Sequence, residues 1–430
     1  MDREPNDKKE KQSVSIFGKL RNKYRSAVDA YEEKRARRDI IFTETITPAP
    51  PEKPPVLVRG GIDIQLLLIV LALLIFGAIM CFSASNVYAS EEYGDSLHFF
   101  KRYILYAVMS IAVTAVLVVF VKPSHLRYAA LFLYAVTVVL LLLVLVIGDT
   151  GGGAQRWIAV GPITIQPSEI AKLSLVLMLS LYMSHYEKEI KSVHVRGGSF
   201  RKGVLFPCII IGIIIMLVML EKHISGVIII GLIGLSVMYM GGTHTKWMFL
   251  ILGALGLAAC MLILVSGYAQ ERVHTWLNIY DVDPTGSAWQ TLQGMYAIGS
   301  GGFFGRGLGN STQKYGYVSQ PQNDFIFTIV CEELGFIGAA IVVGLFALLV
   351  YRGFKIAANC PDKYMRLVAY GLSFKVALQA LLNIAVVTNS MPNTGVSLPF
   401  FSSGGTALLV QILEVGILLI ISRYSAEKKN

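Results

Sequence analysis

Residues 204–240 read VLFPCIIIGIIIMLVMLEKHISGVIIIGLIGLSVMYM. Two apolar runs, Val204 to Leu220 and Ile224 to Met240, are separated only by Glu221, Lys222 and His223. Each run approaches the roughly 20 residues that cross a bilayer as a helix. The runs are continuous rather than alternating, which argues against a β-barrel. A spanning helix also satisfies its own backbone hydrogen bonds where no water can.

The same pattern recurs on both sides of this stretch, at Ile64 to Phe82, Tyr103 to Val121, Tyr128 to Ile147, Trp247 to Ser266, Phe325 to Tyr351 and Leu367 to Val387. Two weaker runs, Ser168 to Met183 and Gly404 to Ser422, are short or carry a charge, and their positions between clear spans bring the expected total to about ten. The chain is 54% hydrophobic and only 15% charged, more apolar than one soluble core of this length requires. The expected fold class is therefore an all-α integral membrane protein, a polytopic bundle of about ten transmembrane helices. Residues 1–60 are expected to be a basic, disordered tail, 61–423 the membrane domain and 424–430 a short second tail. Residues 267–323 are expected to form a large extracellular loop between spans 7 and 8.

Lys and Arg set the orientation. An even number of spans puts both termini on one side, and residues 1–60 alone hold 14 of the 38 Lys and Arg. That side is expected to be cytoplasmic. The segments left outside keep only Lys101, Arg102, Arg156, Lys222, Arg272, Arg306 and Lys314. The net charge of +10 is thus a topology signal beside an anionic membrane, not evidence of nucleic-acid binding. The tail ends in Pro48, Pro51, Pro54 and Pro55, an extended linker, and the first apolar run begins only after it, so no cleavable signal peptide is expected. Cys81, Cys208, Cys260, Cys331 and Cys360 show no paired spacing that would indicate a disulfide framework or a zinc site.

The outer segments carry the chemistry. Residues 148–167, GDTGGGAQRWIAVGPITIQP, place Arg156 beside Trp157 at the membrane surface, as an interfacial anchor or as a ligand contact. Residues 267–323 are longer than an ordinary connection, and Gln290 to Ile298 is amphipathic enough for a short re-entrant or surface helix. The glycines at 299, 301, 302, 305, 307 and 309 can bring backbone donors to a phosphate, with Arg306 and Lys314 adding charge. Asp324 stands at the edge of the next span, as a helix N-cap, a general base with a raised pKa, or a ligand of a divalent cation such as magnesium or manganese. Residues 388–405, TNSMPNTGVSLPFFSSGG, are turn-rich and re-entrant in character.

Arg156-Trp157 with Gln166-Pro167-Ser168-Glu169, AIGSGGFFGRGLGNSTQK at 297–314, DFIFTIVCEELG at 324–335 and NTGVSLPFFSSGG at 393–405 occur in that order. In this the chain closely resembles the SEDS family (shape, elongation, division and sporulation) from about Ile64 to Ser422. The resemblance implies polymerisation of lipid II into peptidoglycan strands at the outer face of the cell membrane. It also implies a partner, a class B penicillin-binding protein with transpeptidase activity, and no organic cofactor. The family's essential carboxylate falls on Asp324, the tryptophan of its second outer loop on Trp157, and the serine of its LPF-x-S motif on Ser402. The long tail and Ser83-Ala84-Ser85 resemble the division branch more than the elongation branch. Two departures stand out. The family's Leu-Glu-Pro-Asp is here Leu220-Glu221-Lys222-His223, and a Glu and a His before Asp324 are replaced by Gln320 and Gln322. Asp324 is therefore expected to act nearly alone within its loop.

For such chemistry Asp324 takes the proton of the acceptor hydroxyl or holds the metal, Arg156, Arg306 and Lys314 neutralise the pyrophosphate, and Trp157 stacks on a sugar or on lipid. The rival function is a flippase for the lipid-linked precursor, because Lys172, Lys375, Glu332, Glu333 and Glu414 place charges within spans. A structural Lys375–Glu414 pair across two helices is the expected alternative to a transport pathway. A scaffold for the division machinery ranks last, since it would need none of the outer chemistry.

Overall fold

A computed structural model describes residues 57–151, 154–160, 163–191, 200–265, 267–281, 288–318 and 321–426. The expected N-terminal tail lies almost wholly outside the described residues, as does the end of the C-terminal one.

Thirteen helices are described, and eight runs of helix are long and apolar enough to cross a membrane. They are α1 (Ile64–Tyr93), α2 (His98–Phe120), α3 (Pro123–Ile147), α6 (Phe206–Leu220, led by a π turn at Arg201–Leu205), α7 (Ile224–Gly241), α11 (Ile326–Asn359), α12 (Lys363–Val387) and α13 (Gly405–Ser422). The remaining two expected spans are α4 (Pro167–His185) and α8 (Thr245–Val265). The short helices are α5 (Glu187–Lys191), α9 (Gly267–Leu277) and α10 (Trp289–Gly301). The fold is the all-α polytopic bundle that the apolar runs predict.

Apolarity and burial divide the helices into two kinds. On α2 and α3, Phe120, Tyr128 and Val146 are exposed, the pattern of helices that face lipid. By contrast α4 packs against α3, α6, α7 and α12 and buries Ser168, Glu169, Lys172 and Ser174. Its neighbours are protein rather than lipid, so it tolerates the polar residues that weaken its hydropathy. The same reasoning covers α13, where Gln411 and Glu414 are buried.

Contacts between the helix ends sort into two sets. Arg102 donates to Thr164, Thr406 to the Thr164 carbonyl, Ser225 to the Thr394 carbonyl and Trp276 to the Asn389 carbonyl. At the other end Arg352 pairs with Asp63, Arg127 with Asp362 and Lys363 with Glu187, and Arg423 donates to the Val118 carbonyl. Each of these contacts joins segments that ten alternating spans put on one side. A single miscounted span would mix the sets.

Two small sheets were not legible as strands. Residues 149–165 form an antiparallel unit of β2 (Asp149–Gly151), β3 (Ala154–Val160) and β4 (Ile163–Ile165). At the opposite end β1 (Leu57–Arg59) pairs with β5 (Tyr424–Ala426), so the two ends of the membrane body leave side by side. The stretch 290–298 lies within α10, which packs on α11. The 388–404 segment turns back into the bundle, where Leu398, Phe400 and Phe401 are fully buried and Phe401 packs against Phe76 and Phe346.

Candidate active site

Asp324 ends the long connection from α8 to α11, two residues before α11 begins. The N-cap of that helix is Phe325, which has no side-chain capping bond, so Asp324 does not cap. Asn383 on α12 holds its main chain by donating to the Asp324 and Val396 carbonyls, 2.7 Å each. The side chain is left for other work: among the described residues its carboxylate has no hydrogen-bond partner, and it stays partly exposed. The 388–404 segment passes so close that a Cβ on Gly395 would stand 3.2 Å from Oδ2. Gly395 also has φ of 65°, which suits glycine there twice over. Burial pushes the Asp324 carboxyl above the usual Asp range, and Arg156 pulls it partly back.

Arg156 reaches this position on β3, where Trp157 next to it pairs in register with Asp149 on β2 and is half-buried. The hairpin is tied to the bundle through Thr164, which accepts from Arg102 and, at its carbonyl, from Thr406. The same guanidinium acts on two further groups, Glu221 and His223, from the stretch that stands where the family has Leu-Glu-Pro-Asp. Glu221 follows α6 directly and is 1% exposed. Burial pushes its carboxyl up to about 8, with Arg156 opposing. His223 precedes α7, and burial, with help from Arg156 and Lys172, pushes its imidazole down to about 4, with Glu169 opposing. His223 is thus neutral near pH 7. Asp324 lacks helpers within its own loop, but a carboxyl and an imidazole gather around the same arginine from the α6–α7 turn. The available signal was a two-helix turn of three residues, all titratable, at membrane depth.

The glycine-rich segment has a different task. At Gly335, α11 breaks with φ of 65° and ψ of −163°, freeing the Glu332 and Glu333 carbonyls. The main-chain N–H groups of Arg306 and Gly307 donate to those carbonyls at 3.0 and 2.9 Å, and Phe336 N–H donates back to Gly302 at 3.0 Å. A Cβ on Gly335 would stand 2.3 Å from the Gly305 nitrogen, and one on Gly305 would stand 2.2 Å from the Glu333 carbonyl oxygen. The two glycines interlock. Donors expected to face a phosphate are therefore already engaged with the broken helix.

The side chains follow the backbone. Glu332 accepts from Ser311 Oγ, from Thr312 N at 2.9 Å and Oγ1 at 2.8 Å, and lies 3.5 Å from Arg306. Glu333 accepts from Ser83 Oγ on α1 at 2.6 and 2.7 Å and lies 3.5 Å from Lys314, itself 2% exposed. Arg306 and Lys314 thus have carboxylate partners of their own, and Arg156 is the cation that acts on Asp324. Ser402 Oγ accepts from Gly404 N at the start of α13, while Ser403 is the serine that reaches the Asp324 segment, donating to Asn323 Oδ1 at 2.8 Å.

Charges within the spans are paired. Lys375 Nζ lies 2.8 Å from both Glu414 oxygens, and Lys172 Nζ 2.6 Å from Glu169. Among the described residues no group of three or more His, Cys, Asp and Glu is placed to hold a metal ion. Asp324, with a guanidinium acting on it, does not by itself fit a protein-held divalent cation.

Residues 64–427 match the family described as cell cycle protein, FtsW/RodA/SpoVE. The chain is similar to stage V sporulation protein E of Bacillus subtilis, 38% identical, covering 84% of this chain and 97% of that protein. It is similar to the probable peptidoglycan glycosyltransferase FtsW of Trichlorobacter lovleyi, 35% identical over 84% and 93% of the two chains. Among solved structures, it superposes on a chain of a peptidoglycan synthase complex that coordinates polymerization and crosslinking, with a TM-score of 0.69, 26% identity and coverage of 84% and 98%. The rod shape determining protein RodA of Thermus thermophilus gives a TM-score of 0.62 at 25% identity, covering 84% and 97%.

Proposed function

The chain belongs to the FtsW/RodA/SpoVE family of cell cycle proteins, and from that premise we infer that it is a multi-pass membrane peptidoglycan glycosyltransferase. It polymerises lipid II at the outer face of the cell membrane, with both termini in the cytoplasm. The observation that carries the assignment to a site is the partly exposed Asp324 carboxylate, which neither caps α11 nor has a hydrogen-bond partner among the described residues.

Glycan extension needs an acceptor hydroxyl made nucleophilic and a departing lipid pyrophosphate whose charge is stabilised. Asp324 accepts the hydroxyl proton, and its upward-shifted pKa brings it nearer to the operating pH, where a base works best. The acceptor oxygen attacks the anomeric carbon as its bond to the pyrophosphate oxygen breaks. Arg156 takes the charge that develops on that oxygen, as a fixed cation in a partly desolvated place. Inversion at an α-linked donor gives a β-linked strand. Trp157, adjacent in β3, supplies an aromatic face for a sugar or the lipid, and Ser402 and Ser403 lie on the segment that lines the other side of Asp324. The partner is a class B penicillin-binding protein, whose transpeptidase crosslinks the strands, and the setting is cell division.

The flippase alternative has less support, because the span charges that would form its pathway are held in close pairs. The test is direct: purified protein, with and without the transpeptidase, is incubated with lipid II and the products are resolved on a gel. Glycan strands are expected. Transfer of lipid II across vesicles without strand formation would overturn the assignment.

A further inference from the structure

A cavity of about 250 Å³ lies at the opposite end of α11 from Asp324, where polymerisation has no use for it. It opens between the residues that lead into α1, the last turns of α11, the end of α13 and Tyr424 of β5. Its charge is uneven. Arg352 and Lys355 line it with a single carboxylate, Asp63. Asp63 is engaged twice, accepting from Leu66 N at 2.9 Å as the cap of α1 and pairing with Arg352. Lys355 is exposed and, among the described residues, has neither an ion pair nor a hydrogen bond. Depth narrows the class of ligand. The apolar run of α11 ends at Tyr351, so Arg352 and Lys355 stand where hydrocarbon gives way to headgroups. Counted back by threes and fours, Lys355, Arg352, Leu348, Leu345 and Ile341 share one face of α11, and Leu348 and Ile341 are 52% and 51% exposed. An apolar strip thus runs from the two cations toward the middle of the bilayer. A lysine near the end of a helix can serve the helix dipole alone. Such a lysine would need neither a cavity beside it nor an open apolar strip beneath it. The volume falls below the about 300–1,000 Å³ of pockets that enclose a whole small molecule, and suits a headgroup whose remainder lies outside.

We propose that this cavity binds the phosphate headgroup of an anionic membrane lipid, with Lys355 and Arg352 donating to the phosphate oxygens and an acyl chain lying along Leu348 and Ile341. Asn359 and Tyr424 supply an amide and a phenol for the headgroup alcohol. A singly charged phosphodiester offers acceptors to the N–H groups that Asp63 leaves free. Free phosphate shares the recognised group but has no chain for the apolar strip. The site does not depend on the glycosyltransferase function. It joins the ends of α1, α11 and α13, so its occupancy favours the folded bundle.

The test is native mass spectrometry of the full-length protein in a neutral detergent. The protein is titrated with dioleoylphosphatidylglycerol, with dioleoylphosphatidylcholine, and with the former in excess inorganic phosphate. The basic tail attracts anionic lipid too, so matched variants decide. Lys355→Glu, at an exposed position, is expected to weaken phosphatidylglycerol binding about tenfold or more, and Lys355→Gln about three- to tenfold. Lys246→Glu makes the same change of net charge at an exposed lysine at the start of α8, and is expected to stay within about twofold of the parent. Phosphatidylcholine should bind about tenfold more weakly than phosphatidylglycerol, and inorganic phosphate should not displace the lipid. Equal losses in Lys355→Glu and Lys246→Glu, or no loss in either, would overturn the site. Phosphatidylcholine held as tightly would overturn the need for an anion, and displacement by inorganic phosphate would overturn the lipid as its source. Should Lys355→Glu fail to fold, Lys355→Gln against Lys246→Gln decides alone.

Discussion

Two regions at one end of the bundle look alike as sequence and differ as structure. The segment 302–318 with Glu332 and Glu333 brings together two cations and two carboxylates, and so does the group of Arg156, Glu221 and Asp324 with Lys172 behind it. In the first region every charge is matched: each glutamate has hydroxyl or backbone donors and a cation, and both glutamates are fully buried. In the second, two carboxyls share one arginine, and neither carboxyl has a hydrogen-bond partner among the described residues. Matched burial holds a fold together, whereas unmatched burial leaves groups poised for a ligand. The comparison predicts that substitutions in the first region act on unfolding and substitutions in the second act on rate.

The largest effect on stability is expected from Glu333→Ala. It strands Lys314, 2% exposed, without its carboxylate and should cost about 3–5 kcal/mol, read as a fall in unfolding temperature in detergent. Adding Lys314→Met should recover part of the loss, because the two positions are coupled. Gly335→Ala comes next, at about 1–3 kcal/mol for the backbone alone and more for the 2.3 Å approach to Gly305. Asn383→Ala removes the donor shared by the Asp324 and Val396 carbonyls. It should cost about 1–3 kcal/mol and slow polymerisation as well, since it loosens the main chain that carries Asp324. Smallest on this scale is Arg156→Gln, expected to change stability by less than about 1 kcal/mol while lowering kcat/KM about 10- to 100-fold. A large drop in unfolding temperature for Arg156→Gln, with catalysis kept, would erase the distinction between the two regions.

The spans were legible because an apolar run of the right length has few alternatives in a bilayer. Even α4 and α13 were found from position, although Glu169, Lys172 and Glu414 blur their hydropathy: Glu169 and Lys172 pair three residues apart on α4, and Glu414 finds Lys375 of α12 when the bundle assembles. The hairpin at 149–165 was not legible, since its strands are three to seven residues long and their pattern is too short to read. The glycine segment was misjudged for a definite reason. A glycine run signals backbone that comes close to something, and here that something is the broken turn of α11 at Gly335 rather than a phosphate. Asp324 could be singled out from its place at the edge of a span, yet its freedom from capping appears only in the structure. Glu221 and His223 stood in plain view, one keeping and one departing from the family's Leu-Glu-Pro-Asp, and only the tertiary arrangement brings them to Arg156.

The central claim is that Asp324 does chemistry rather than structural work, and Asp324→Asn isolates the two. Asn is nearly isosteric and keeps the polar group, but it cannot accept the acceptor proton. Measured side by side, the variant should unfold within about 1 kcal/mol of the parent and polymerise lipid II about 100-fold more slowly or worse, the usual worth of a general base. Near-normal glycan synthesis by a folded Asp324→Asn protein would contradict the account.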